Sequence, residues 1–306
     1  MKKRNWLIYA LLAPTCWGIW GALTEIPEKW ISPPFPPTLG YVVWSLTMVP
    51  VALFVLSRVD WKIERTPRAV AYGCAVGFSG ALGQLLLFYV LNQGPAFIIF
   101  PIICLSPVVT ILLSATLLGE RTRTLGAIGI FLAAPAILLL SLQQKSDVIL
   151  QGHLWLFWTI CIFFLWGLQA YFMKSSTQYV SSEGLFLYIS ATGLLLSPIA
   201  LLMTNFLVPI NWGWKGPVLT AAIQGFNAVG VLLFVYAVRY GKAIIVVPMV
   251  NGMYPLITIL LSLAIYHNIP NRYNLAGMAL AVVSVVAMGF DEARPPSPAA
   301  PDMVAG

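Results

Sequence analysis

Residues 89–107, YVLNQGPAFIIFPIICLSP, and residues 236–255, YAVRYGKAIIVVPMVNGMYP, carry one pattern twice. At an offset of 147 (236 − 89), Tyr89, Gly94, Ala96 and Pro101 fall on Tyr236, Gly241, Ala243 and Pro248. One residue later in offset, Pro107 falls on Pro255. The correspondence spreads in both directions. Trp17-Gly18 matches Trp166-Gly167, Pro50 matches Pro198, Thr110 and Ser114 match Thr258 and Ser262, and Gly129 matches Gly277. Self-similarity at one long, fixed period marks a duplicated structural unit. The first unit occupies residues 1–143 and the second 144–290, leaving a Pro- and Ala-rich tail, 291–306, that is expected to be disordered.

Each unit is too apolar for water. Of the 306 residues, 59% are hydrophobic and 9% charged, against about 25% charged in a soluble domain. Lipid must solvate most of the surface, which restricts a helical chain to spanning segments. A crossing takes roughly 20 apolar residues. Ten segments meet that length: about 5–24, 39–57, 69–91, 96–118, 124–142, 152–173, 184–204, 216–238, 243–266 and 272–290. The expected fold is therefore an all-α, polytopic membrane protein of ten transmembrane helices. The segment after Met1-Lys2-Lys3-Arg4 is too long for a signal-peptide core and is read as the first retained helix. The longest connection, 25–38, holds Pro33, Pro34, Pro36 and Pro37 and is expected to form a stiff extended cap.

Five helices per half is an odd number, so the second half enters from the opposite side and the repeat is inverted. The basic residues agree. With the termini inside, 13 of the 17 Lys and Arg residues fall inside and only Lys29, Lys145, Lys215 and Arg272 fall outside. Excess Lys and Arg mark cytoplasmic loops, which places both termini in the cytoplasm and the protein in the cell (inner) membrane. The net charge of +7 is spread in short clusters and forms no continuous basic face, so nucleic acid is excluded as a partner. The expected partners are a small-molecule solute and membrane lipid, with a homodimer admitted. Inverted repeats around a midplane site are the signature of secondary transporters, in which one half rocks against the other.

The chain also resembles a known family. The Trp17-Gly18 and Trp166-Gly167 pairs, and the repeat ending Leu117-Leu118-Gly119-Glu120-Arg121 followed by Gly126 and Gly129, are similar to EamA-type members of the drug/metabolite transporter superfamily. The resemblance covers about residues 5–290 and implies ten helices in two inverted five-helix repeats, with export as the commoner direction. One departure is Asn268 in the second repeat where the first has Glu120.

The ten acidic residues lie at helix ends, in loops or in the tail, and none is mid-membrane. Ion-coupled carriers commonly hold a carboxylate in the bilayer core, so their absence favours a facilitator or exchanger. Glu25, near the end of the first helix, is the one coupling candidate, and an interfacial charge is its plainer reading. Cys16, Cys74, Cys104 and Cys161 form no CxxC pair and read as buried apolar residues. No metal site, cofactor or catalytic group is expected. An intramembrane lipid-modifying enzyme would need a nucleophile with its base, and His153 and His267 are terminal and far apart.

Solute contacts are expected from amides and aromatics. Gly73, Gly77, Gly80 and Gln84 share one stripe of the third helix. Their counterparts in the eighth are Thr220, Gln224, Asn227 and Val231. The glycines read as helix packing, and Gln84, Gln224 and Asn227 as cavity groups. Trp17, Trp20, Trp166 and Gln169, deeper than the aromatic belt, are expected to wall the same cavity. Pro101 and Pro107 are expected to break the fourth helix, and Pro248 and Pro255, flanking Gly252, the ninth. Between the latter, Asn251 and Tyr254 are expected to touch the solute beside the gate. The resulting reading is a secondary transporter of a small polar or amphipathic metabolite, an exporter or facilitator. The alternative is an uptake permease for a sugar or similar neutral solute.

Overall fold

A computed structural model describes residues 6–91, 93, 96–141, 154–267 and 271–293. The described chain is helical throughout: α1 Trp6–Leu23, α2 Pro37–Ser57, α3 Pro67–Leu91, α4 Ala96–Cys104, α5 Pro107–Leu117, α6 Thr124–Ser141, α7 Leu154–Ser175, α8 Ser182–Leu202, α9 Pro217–Tyr240, α10 Ala243–Tyr266 and α11 Arg272–Ala293. Prolines open α2, α3, α5 and α9, where a missing N–H breaks no helical bond. Among the described residues, eight helices are long and apolar enough to cross a bilayer, and two shorter apolar stretches, Ile102–Leu117 and Thr124–Leu140, accompany them.

Three expectations need correction. The fourth segment is two helices with a single break at Leu105-Ser106, and α10 runs unbroken through Pro248 and Pro255. At the break the amides of Leu105, Ser106, Val108 and Val109 each bond three residues back, a tightened turn that ends one helix and lets Pro107 begin the next. In α10 the Asn251 side chain donates to the Val247 carbonyl at 2.9 Å and supports the backbone between the prolines. The cap after α1 is not simply extended, because Ile26–Trp30 forms a π turn. Finally, α11 continues past Asp291 to Ala293, while residues 294–306 of the expected tail lie outside the described residues.

The helix contacts are reciprocal between the halves. Helix α1 packs on α9 as α7 packs on α3, and α1 meets α10 as α7 meets α4 and α5. Helix α2 packs on α9 as α8 packs on α3, while α2 meets α8 and α6 meets α11, each its own counterpart. Single residues repeat the rule. The Trp17 ring fills the space over Gly230 of α9, and the Trp166 ring fills it over Gly83 of α3. Thr258 donates to the Gly18 carbonyl at 3.3 Å and Thr110 to the Gly167 carbonyl at 2.8 Å. The duplicated Trp-Gly pair therefore has one task in each half. Its glycine admits a hydroxyl from a neighbouring helix, and its tryptophan lies against a glycine across the bundle.

The glycine stripe of α3 packs as its spacing predicts. A side chain at Gly73 would strike Tyr188, and one at Gly77 would strike Thr192, both on α8. At Gly80 it would strike Gln169, and at Gly83 Trp166, both on α7. Gly225 of α9, by contrast, has nothing within 4 Å of the Cβ position. Gly77→Ala is thus expected to destabilise by about 1–3 kcal/mol through overpacking. Gly225→Ala should leave stability unchanged or raise it by up to about 1 kcal/mol. Melting curves in detergent check the pair; equal curves for the two variants would contradict this packing.

Candidate functional site

The reciprocal packing leaves a cavity of about 300 Å³ between the halves. Helices α1, α2, α3, α4, α7, α8, α9 and α10 all contribute to its wall. Eight of the nine expected solute contacts line it: Trp17, Trp20, Gln84, Trp166, Gln169, Asn227, Asn251 and Tyr254. They converge because Gly80 and Gly83 let α7 approach α3, which seats Gln169 and Trp166 at the wall. The Trp17 ring lies 5.2 Å from Phe234 and 6.2 Å, edge to face, from Tyr254. The Trp166 indole donates to the Gly80 carbonyl at 3.4 Å.

The wall is aromatic with a few amides, and none of its described residues is charged. That composition accepts a solute with flat apolar faces and a few hydrogen-bonding groups. Several wall residues lay outside the sequence expectation, notably Trp44, Phe100, Phe234, Met173 and Ser106. The counterpart of Trp44 at the repeat offset is Thr192, so the duplication gave no signal for it. Gln224 is the exception among the expected contacts. It is buried but does not line the cavity.

The expected gate residues divide by local geometry. Pro107 opens α5 directly after the break, next to Ser106 of the cavity wall, and Pro101 lies within α4. Pro248, Gly252 and Pro255 alternate along α10 with the cavity residues Val247, Asn251 and Tyr254. Gly252 has no atom within 4 Å of where a Cβ would sit, so packing does not require its glycine.

At the end of the bundle that carries Trp6, a polar network lies directly beyond the wall. Lys174 follows Met173 of the cavity and pairs with Glu120 at 3.7 Å. It also donates to the carbonyls of Val238, at 3.1 Å, and Gly241. Glu120 accepts from the Ile244 amide at 2.9 Å. Arg239 donates to the Val180 carbonyl at 2.8 Å, and Tyr236 donates to Glu183. At the opposite end the contacts between the 31–36 and 203–216 segments are largely backbone and ring contacts. Asn211 donates to the Pro34 carbonyl at 3.3 Å, and Phe35 meets Trp212 edge to face at 6.5 Å.

Comparison with known proteins gives three results. The model of the EamA-like transporter family matches residues 4–142 and again 153–290. A protein of Methanocaldococcus jannaschii described as uncharacterized is 28% identical over 108 residues, which is 35% of this chain and 79% of that protein. A solved structure titled only as the crystal structure of a protein superposes with a TM-score of 0.69 at 16% identity, covering 93% of this chain and 96% of the other. The last result shows a shared fold.

Proposed function

The chain belongs to the EamA-like transporter family, whose members are membrane transporters of small solutes, and from that premise we propose that it carries a neutral or zwitterionic metabolite by alternating access. The observation that carries this reading is the uncharged cavity. Residues from both halves build it, and amides of the second half (Gln169, Asn227, Asn251) face Gln84 of the first. In this reading ten helical segments cross the membrane as two inverted repeats, 1–143 and 144–290, with both termini cytoplasmic. The Lys174–Glu120 network then closes the cytoplasmic end, and the cavity communicates with the outside. Flat aromatic walls and scattered amides suit a solute that is amphipathic and bears hydrogen-bonding groups without a net charge. Export is the family's usual direction, and the cavity wall itself holds no carboxylate among the described residues.

The test is a thermal-shift screen of purified protein against amino acids, sugars and nucleosides, because a ligand of the folded state raises the melting temperature by mass action. A hit that is then taken up or released by proteoliposomes supports the proposal. Single-channel currents, or product formed from membrane lipids, would replace it with a channel or an enzyme.

The gate assigned to α10 makes a separate prediction. Gly252→Ala meets no steric obstacle, and alanine stiffens a helix by about 0.5–1 kcal/mol relative to glycine. The variant is expected to melt no lower than the parent and to transport several-fold more slowly. Unchanged flux would mean that α10 does not bend at Gly252.

A further inference from the structure

Gln224 is 5% exposed and lies outside the solute cavity, and its Oε1 has no partner. Thr220, one turn earlier on the same face of α9, is 3% exposed and its hydroxyl is also without a partner. Two unpartnered buried oxygens on one helix face are costly, about 1–3 kcal/mol each. The Gln224 side chain reaches the start of α2 and the connection that leads into it from α1. There the π turn Ile26–Trp30 widens the helical spacing and separates two neighbouring carboxylates. Glu25 points outward and pairs with Lys29 at 3.5 Å. Glu28 turns inward and is half-buried, with the Thr24 hydroxyl donating to it at 3.3 Å. Glu28 Oε1 and Gln224 Nε2 lie 3.9 and 3.8 Å from a single point, the place where a side chain would begin on Gly40 of α2. Carboxylate and amide thus both approach Gly40 at van der Waals distance. Gln224 lies one turn of α9 beyond Asn227 of the cavity wall.

We propose that Glu28 and Gln224 form a proton-binding site at the end of the cavity opposite the termini, and that its occupancy couples a proton to solute movement. The proposal rests on the transporter reading above. The chemistry is one proton transfer. Ionised Glu28 only accepts hydrogen bonds, and the Gln224 amide satisfies it with its NH₂. When Glu28 takes a proton from water at that end, its new O–H donates to Gln224 Oε1, the acceptor that now lacks a partner. A half-turn of the amide exchanges the two arrangements, since its oxygen and nitrogen are nearly isosteric. Release of the proton to water reverses the step. Among the described residues, the charged groups acting on Glu28 are Lys29 and Glu25 of its own segment. Helix α2 presents Gly40 to it and α9 presents Gln224, and neither titrates. Tyr266 of α10 is committed to the Ala22 carbonyl and stacks on Trp30. The site therefore responds to one carboxyl and one amide.

The test uses the full-length purified protein and the proton itself as probe. Infrared difference spectra between about pH 5 and about pH 8, which bracket a carboxyl in a low-dielectric site, should contain a protonated-carboxyl band that Glu28→Gln removes. Gln224→Leu, which deletes both the donor to ionised Glu28 and the acceptor for its protonated form, should move the titration of that band. If a solute is in hand, its affinity should change about tenfold across that pH range in the parent, a usual size for coupling between sites, and less than twofold in Glu28→Gln. A band that survives Glu28→Gln, or a titration that Gln224→Leu leaves in place, would overturn the proposal. So would sodium chloride raising the melting temperature over choline chloride in the parent alone, which would make the site a sodium site. Because the infrared readout needs no solute, a failed ligand screen and a failed proton site give different results.

Discussion

Lys174→Met is expected to destabilise the protein by about 3–5 kcal/mol, the usual loss when one partner of a buried ion pair is removed. The Lys174 side chain is 20% exposed and that of Glu120 10%. Both charges sit where helix ends favour them. Lys174 lies in the last turn of α7 and reaches carbonyls at the end of α9. Glu120 accepts the Ile244 amide in the first turn of α10. A cation at a C-terminus and an anion at an N-terminus each gain from the helix dipole. Removing the lysine strands the carboxylate and the carbonyls together. Glu120→Gln should cost less, because the amide oxygen still accepts from Ile244 and the lysine keeps its carbonyls. The double variant should be more stable than Lys174→Met alone, because no buried charge is left without its partner. Melting curves of the three variants check this. A Lys174→Met protein within about 1 kcal/mol of the parent would mean that water already solvates the pair.

The same network makes the two ends of the bundle unequal. At the repeat offsets, Lys174 corresponds to Glu25 (174 − 149) and Glu120 to Asn268 (120 + 148). The far end cannot form the same pair. Under the alternating-access proposal, the Lys174–Glu120 pair would bias the resting state toward closure at its end.

Asn251→Leu combined with Asn227→Leu is expected to lower transport by about 100-fold or more while leaving the protein folded. Each asparagine lines the cavity. Removing a group that pairs with a buried polar atom of a ligand costs about 1–3 kcal/mol, or roughly 10- to 100-fold for each amide. Leucine nearly conserves volume, so the loss reads hydrogen bonding and not collapse. The single variants should each lose about tenfold. Gln224→Leu should spare solute affinity at acidic pH, since Gln224 lies outside the cavity. The checks are flux into proteoliposomes and the thermal shift by the same solute. Parent-like flux in the double variant would remove α9 and α10 from the solute path.

Much of this was legible in the residues because lipid leaves a helical chain few choices. Backbone groups must be satisfied within each crossing, so apolar length alone marked the helices to within about three residues. The duplication was equally visible, since Trp17-Gly18 and Trp166-Gly167 solve the same contact twice. The α3 glycines declared their packing by spacing, and eight of nine expected contacts met at the cavity. What went astray involved local geometry without a compositional mark. Pro101–Pro107 and Pro248–Pro255 are matched in sequence, yet one pair breaks its helix and the other does not. Glu25, whose plainer reading was an interfacial charge, pairs with Lys29 at the surface, and nothing in the spacing marked Glu28 as the more buried of the two.

The sequence by itself determined the solvent, the helices, the repeat and the family, because each depends on residue type and period along the chain. Only the tertiary structure decided that Trp44 and Phe100 wall the cavity, that Gln224 lies outside it, and that Lys174 finds Glu120. Those outcomes depend on which faces of separate helices meet. A few glycines set that approach, and it has no period along the chain.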